Sequence, residues 1–154
     1  MKKLQSLTSL LLLLLWLVPT STVTMSFSDD DTALTIVANE KGAPSSMTLK
    51  ELKLVIQGDK QRWPDGNRIS LAFMKTSTPT GAATAKKLLN MTGDQFNKHW
   101  LALVFQGKAK APAFFTSVGE LEGYINSTPG AIGVIETSAN SKSRVVVIDD
   151  KKSL

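Results

Sequence analysis

The stretch ISLAFMKTSTPTGAATAKKLLN, residues 69 to 90, decides the reading of the fold. Ile69 to Met74 is a short apolar run bounded by polar residues, which is the pattern of a buried strand. Thr76 to Gly81 is a hydroxyl-rich loop, and from Pro79 onward the chain turns to Ala, Lys and Leu, which favour helix. Thr78 suits the N-cap position and Pro79 the first helical position, because proline lacks only an amide that a helix start leaves unpaired anyway. The helix is predicted to end near Asn90. A strand, a tight polar turn and a helix in direct succession form the repeating unit of a sheet covered by helices.

The same alternation continues on both sides. Upstream, Leu34 to Ala38 (LTIVA) reads as another buried strand, and Gly42 to Ser46 as a loop. Thr48 and Glu51 stand three apart, as a capping box requires, ahead of a face formed by Leu49, Leu52, Val55 and Ile56. Gly58 stops that helix, and Trp63-Pro64-Asp65-Gly66 is a turn signal. Downstream, Thr92 and Gln95 predict a second capping box. The following helix is expected to bury Phe96, Trp100, Leu103 and Val104 and to end before Gly107. Phe114 to Thr116 is a short strand candidate. Ser117 and Glu120 predict a third box, for a helix carrying Val118, Leu121 and Ile125. Pro129-Gly130 turns the chain into Ala131 to Ile135, and Arg144 to Ile148 (RVVVI) reads as a last strand at an edge or pairing antiparallel. The tail from Asp149 to Leu154 is polar and expected to be loose. The fold class is α/β, a mixed and mostly parallel sheet flanked by helices.

Composition narrows the chemistry. The 154 residues include 42% hydrophobic and 20% charged, with 10 Gly and 6 Pro, values of a globular chain. There is no cysteine, so disulfides, thiol nucleophiles and Cys-ligated metals are excluded. One histidine, His99, cannot build a multi-histidine metal centre. Its place beside Trp100 on a helix reads as a partly buried or surface side chain rather than a general base. No nucleophile elbow, zinc helix or complete phosphate loop is present; Gly81 with Lys86 and Lys87 lacks the second Gly and the following Ser or Thr. No enzyme, metal or cofactor is expected. The formal net charge of +5 is spread among 13 acidic residues without a basic cluster, which argues against nucleic acid as a partner.

The beginning of the chain reads as an export signal. Lys2 and Lys3 precede the apolar run Leu4 to Val18, and Pro19 and small polar residues follow. The run is shorter than the roughly 20 residues that span a bilayer comfortably. Cleavage is expected after Ser26, giving a signal peptide over 1–26 and a domain over 27–154; a retained N-terminal anchor is the alternative. The expected location is periplasmic or secreted, with no membrane contact once the signal is removed.

One segment has the pattern of a binding site: Lys75-Thr76-Ser77-Thr78-Pro79-Thr80-Gly81. In open α/β sheets, ligands sit beyond the carboxyl ends of strands. Amides at the start of the following helix, with the positive end of its dipole, form a seat for an oxyanion. The hydroxyls of Thr76, Ser77, Thr78 and Thr80 can add hydrogen bonds, the amides of Thr80 and Gly81 point outward, and Lys75 can add charge. The competing reading is an ordinary cap, whose satisfied amides leave nothing for a ligand. Ser45 and Ser46 form a similar but weaker pair.

Three stretches resemble a known family. Glu51 to Trp63 (ELKLVIQGDKQRW) is similar to the E-L-x-x-I-F-x-G-x-x-x-x-W segment of phosphate-binding proteins of ABC transporters. Thr128 to Val134 (TPGAIGV) is similar to their T-P-G-A-I-G-Y-V signature. Pro79 to Trp100 resembles the P-L-R-E-A-F…M-S-P-E-Q-L…Y-W pattern of a short secreted subgroup. The resemblance runs from about Leu34 to Glu136. It implies a single lobe of a type 2 periplasmic-binding-protein fold in an exported protein, with phosphate or another small oxyanion as ligand and an ABC permease, a sensor or another envelope protein as partner. In the full-length family a D-G-S-G-T loop holds phosphate, and Thr76 to Thr80 stand where that motif runs. Here Thr76 replaces its Asp and Pro79 its second Gly, which removes an acceptor and an amide donor. Lys75 lies one position from the place of the family's Arg and lacks its bidentate geometry. The resemblance implies a solute-binding role; an interaction or accessory module that keeps the fold without a ligand is the alternative.

Overall fold

A computed structural model describes residues 32–154. The signal peptide expected over 1–26, and the acidic stretch up to Asp31, lie outside the described residues. The elements in chain order are β1 (Leu34–Ala38), β2 (Ser46–Met47), α1 (Leu49–Gln57), β3 (Ser70–Met74), α2 (Pro79–Leu89) and α3 (Gly93–Phe105). Then come β4 (Ala113–Phe115), α4 (Val118–Ser127), β5 (Ala131–Glu136), β6 (Arg144–Val145) and β7 (Val147–Ile148).

Five strands form the main sheet in the order β4-β3-β5-β1-β6. β3 runs parallel to both β4 and β5, while β1 is antiparallel to β5 and to β6. β1 is therefore the single strand of this sheet pointing against the rest. Residues alternate across the sheet because successive strand side chains face opposite ways. Leu34, Ile36, Leu71, Phe73, Ile132 and Val134 face one side and meet α1, α2 and α3 there. Val37, Ala72, Met74, Ala131 and Ile135 face the other and meet Leu121 and Ile125 of α4. Phe73 packs edge-on against Phe96 of α3 with ring centroids 5.3 Å apart.

Two of the three expected capping boxes are complete. Thr48 and Thr92 each accept an amide three residues on, while Glu51 and Gln95 reach back to the cap amides. The amide and hydroxyl of Thr48 together hold the Glu51 carboxyl below its ordinary range. The favourable contribution of that box is present above the unfolded carboxyl's range and fades as the pH falls through the lowered one. At Ser117 only half a box forms: Glu120 N donates to Ser117 Oγ, but the Glu120 carboxylate takes the Thr116 hydroxyl at 3.3 Å instead. Gly58 ends α1 with φ of 87°, as its position suggests.

Four expectations are corrected. Val104 is exposed and Leu103 only half-buried, so α3 buries Phe96 and Trp100 alone. RVVVI is not one strand. Val146 donates to Ile36 O at 2.8 Å, and the chain then crosses to a second, two-stranded sheet in which β7 lies parallel to β2. Ser46, expected in a loop, belongs to that sheet. The tail is tied down rather than loose. Asp149 and Asp150 both take positive φ, 45° and 64°, which makes a tight primed turn. Ile148 and Lys151 exchange hydrogen bonds across it, and Leu154 exchanges two with Leu34, at 2.8 and 2.9 Å.

One buried and one half-buried polar side chain fix the connections around β6. Glu122 Oε1 accepts Ser141 Oγ at 2.5 Å and the amides of Lys142 and Ser143 at 2.9 and 3.3 Å. The Arg144 guanidinium donates to the carbonyls of Asn39, Ala43 and Pro44 at 2.7 to 3.0 Å.

Gly133 leaves no room for a side chain between its neighbour strand and α4. A Cβ there would lie 2.9 Å from Ala72 O, 3.1 Å from Leu121 Cδ2 and 3.2 Å from Ile125 Cδ1. Gly133→Ala is expected to lower stability by about 1–3 kcal/mol through overpacking, read as a lower urea midpoint at unchanged slope.

Candidate functional site

The expected loop stands at the carboxyl end of β3, beside the carboxyl end of β4. Met74 is level with Phe115, and Lys75 N donates to Phe115 O at 2.9 Å. Lys75 O is the acceptor that shapes the turn. It takes the Thr78 amide at 2.8 Å and the Thr78 hydroxyl at 2.7 Å. Thr78 Oγ1 in turn accepts the Gly81 amide at 3.1 Å, and its extended backbone marks it as the N-cap, with Pro79 at the start of α2.

The six predicted residues occupy one turn but differ in access. Lys75 and Ser77 are exposed. Thr76 is half-buried, and its hydroxyl accepts Asn97 Nδ2 of α3 at 3.0 Å. Thr78 is half-buried and committed to the cap. Thr80 is buried at 6% exposure, so its side chain does not reach outward. Gly81 is buried and its amide is taken by Thr78. The outward-pointing Gly81 donor expected from the sequence is thus an internal cap bond.

What is exposed is a smaller set, Lys75 and Ser77, at the start of α2. No acidic residue stands in that turn, so the dipole end of α2 is not neutralised locally. One strand over, Thr116 and Ser117 open α4 in the same way, but Glu120 brings a carboxylate to that turn. Sequence reasoning missed Asn97 and Thr116 as neighbours of the loop. Asn97 carries no local signal, because only the packing of α3 against the Thr76 turn brings it there. Thr116 could have been found from its position at a strand end.

The remaining candidates resolve as structural. His99 is half-buried, and its Nε2 lies 2.8 Å from Gln57 O. Asn39, not singled out in the sequence, donates to the carbonyls of Ile125 and Asn126 at the end of α4. No group of three or more His, Cys, Asp or Glu is placed to hold a metal ion among the described residues. No helix among them is long and apolar enough to cross a membrane.

No protein-family model and no curated protein matches the sequence. Solved structures do match. An ABC-type phosphate transport receptor from Vibrio cholerae superposes with a TM-score of 0.63 at 15% identity, over 83% of this chain and 51% of that one. PstS from Borrelia burgdorferi gives 0.61 at 18%, over 78% and 48%. A phosphate-binding protein from Stenotrophomonas maltophilia gives 0.59 at 13%, over 77% and 39%. The chain therefore has the periplasmic-binding-protein fold found in phosphate ABC transporter receptors. It spans about half the length of the first two and less of the third.

The turn makes a direct prediction. A Cβ on Gly81 would lie 2.1 Å from Lys75 O and 2.6 Å from Met74 O, so Gly81→Ala cannot be accommodated without moving α2. It is expected to cost more than Thr78→Ala, which loses a cap bond worth about 1 kcal/mol. Thermal melts of the two variants side by side check the order.

Proposed function

We propose that this chain is an exported, non-enzymatic solute-binding-type protein that meets phosphate or a similar oxyanion at the turn Lys75 to Gly81 and supplies one side of the binding site. The observation that carries this reading is the placement of the turn: it opens α2 at the carboxyl edge of β3, on a fold shared with phosphate receptors. Lys75 and Ser77 are the contacts; Thr78 and Gly81 hold the turn in shape rather than touch the ligand. Thr76 is kept in place by Asn97.

The energetics favour half a site over a whole one. An ion on this turn keeps water on its far side, and exposed charge-assisted contacts are screened by salt and weak singly. A second body, an ABC permease, a sensor or another envelope protein, would exclude that water and strengthen each contact. Export as a periplasmic or secreted protein, through the leader over 1–26, completes the proposal.

A second reading rests on the cap itself. Because Thr78 satisfies Gly81 internally, the turn is also complete without a ligand, which suits an accessory module that recognises a protein alone.

Isothermal calorimetry with phosphate, sulfate and small carboxylates at millimolar concentration separates the two. The oxyanion reading expects weak, salt-sensitive heat with phosphate, reduced severalfold by Lys75→Gln and by Ser77→Ala while the melting temperature stays unchanged. Absence of heat with every anion, or heat untouched by both variants, leaves the accessory reading.

A further inference from the structure

The far end of α3 gathers three of the four exposed large hydrophobic side chains among the described residues. Leu101 is 58% exposed, Val104 38% and Phe105 84%. They stand at spacings of three and four, so they share one helix face turned away from the core. An open apolar groove of about 230 Å³ runs beside them, with Leu101, Val104, Pro112 and Phe114 in its walls. A second cleft adjoins it, sharing Trp100 and Ala111, and is lined by the cations Lys60, Arg68 and Lys110. No carboxylate lines either one. Lys98, Lys108 and Lys110 are exposed, and from Gln95 to Ser117 the sequence holds no Asp or Glu.

We propose that this end of the chain docks on an anionic lipid surface. Leu101, Val104 and Phe105 enter the boundary between headgroups and acyl chains, while the flanking Lys and Arg side chains meet the phosphates. Apolar side chains on one helix face with cations around them are the pattern of an interfacial helix. Lysine stems lie along apolar surface while their ammonium groups reach outward. Each cation near an anionic leaflet adds attraction that falls off within a Debye length.

Charge complementarity selects this occupant. Two copies of the chain meeting face to face would bring like charges together around a twofold axis. A neutral protein surface would leave the cations without counter-charges. An anionic bilayer supplies apolar depth and negative charge in one layer. The cationic cleft is lined by the start of β3, away from the Lys75 to Gly81 turn at the other end of that strand, while the apolar groove extends to Asn97, whose amide reaches the Thr76 hydroxyl. The proposal departs from the expectation of no membrane contact after signal removal.

The chain has no cysteine, which permits single-site labelling of the full protein. Leu101→Cys, carrying an environment-sensitive fluorophore, is mixed with vesicles of phosphatidylcholine alone or with phosphatidylglycerol. Gly123→Cys, on exposed α4, carries the same label as a control. The expected result is a blue shift at position 101 with the anionic vesicles only, weakened by salt and absent at 123. Adding Phe105→Ser, at an 84% exposed side chain and with folding checked by circular dichroism, should reduce the apparent affinity read by the shift by at least about tenfold. Vesicle retention through the leader without a shift at 101 overturns the proposal. So does an equal shift with neutral vesicles, or one that grows with protein concentration without lipid, which would assign the face to a second copy. None of these readouts depends on whether phosphate binds.

Discussion

Gly81 sits against the carbonyls of Lys75 and Met74, closer than any side chain allows. That contact fixes the angle at which the chain leaves the sheet after β3. Thr78 locks it by bonding backward to Lys75 and forward to Gly81. Because α2 departs at that angle, Ala83, Ala85 and Leu88 reach the sheet, and α3 can lay Gly93 and Asn97 over Thr76. The residues that shape the turn are therefore mostly unavailable to a ligand. A turn built this way presents a fixed frame that leaves two side chains outside, Lys75 and Ser77.

Much of the architecture was legible because it rests on local chemistry. Thr48 with Glu51 and Thr92 with Gln95 announce helix starts within a few residues, and the apolar runs at Leu34, Ser70 and Ala131 are buried strands as their composition suggests. What stayed hidden depends on residues far apart in sequence. RVVVI has uniform β propensity, and only the bond from Val146 to Ile36 and the pairing with Ser46 and Met47 divide it. The tail is polar and looks loose, yet two aspartates with left-handed backbone fold it back onto the core. Asp and Asn tolerate that conformation better than most residues, so the signal was present but weak.

The turn after β3 was legible in place but not in detail. Its position after β3 and its cap could be read from Thr78 and Pro79. Whether the Gly81 amide was free could not, because an N-cap hydroxyl and a ligand oxygen satisfy that donor equally well. Burial of Thr80 follows from which face of α2 meets the sheet, and helical spacing among the small residues Gly81, Ala82, Ala83 and Thr84 gives too little contrast to decide it. The same limit explains Val104: the apolar residues of α3 run almost all the way round, so spacing alone could not choose its inner side.

Leu34 and Leu154 exchange hydrogen bonds in both directions, which places the first strand and the last described residue side by side. A short glycine-rich bridge could join them with little distortion, and new ends could then be opened at Gly107 or Gly66, where the backbone is exposed and nothing crowds it. The order in which the strands are synthesised is thus separable from the shape they finally adopt. A rearranged chain of this kind would keep β1 between β5 and β6 while moving both chain ends to the other end of the sheet.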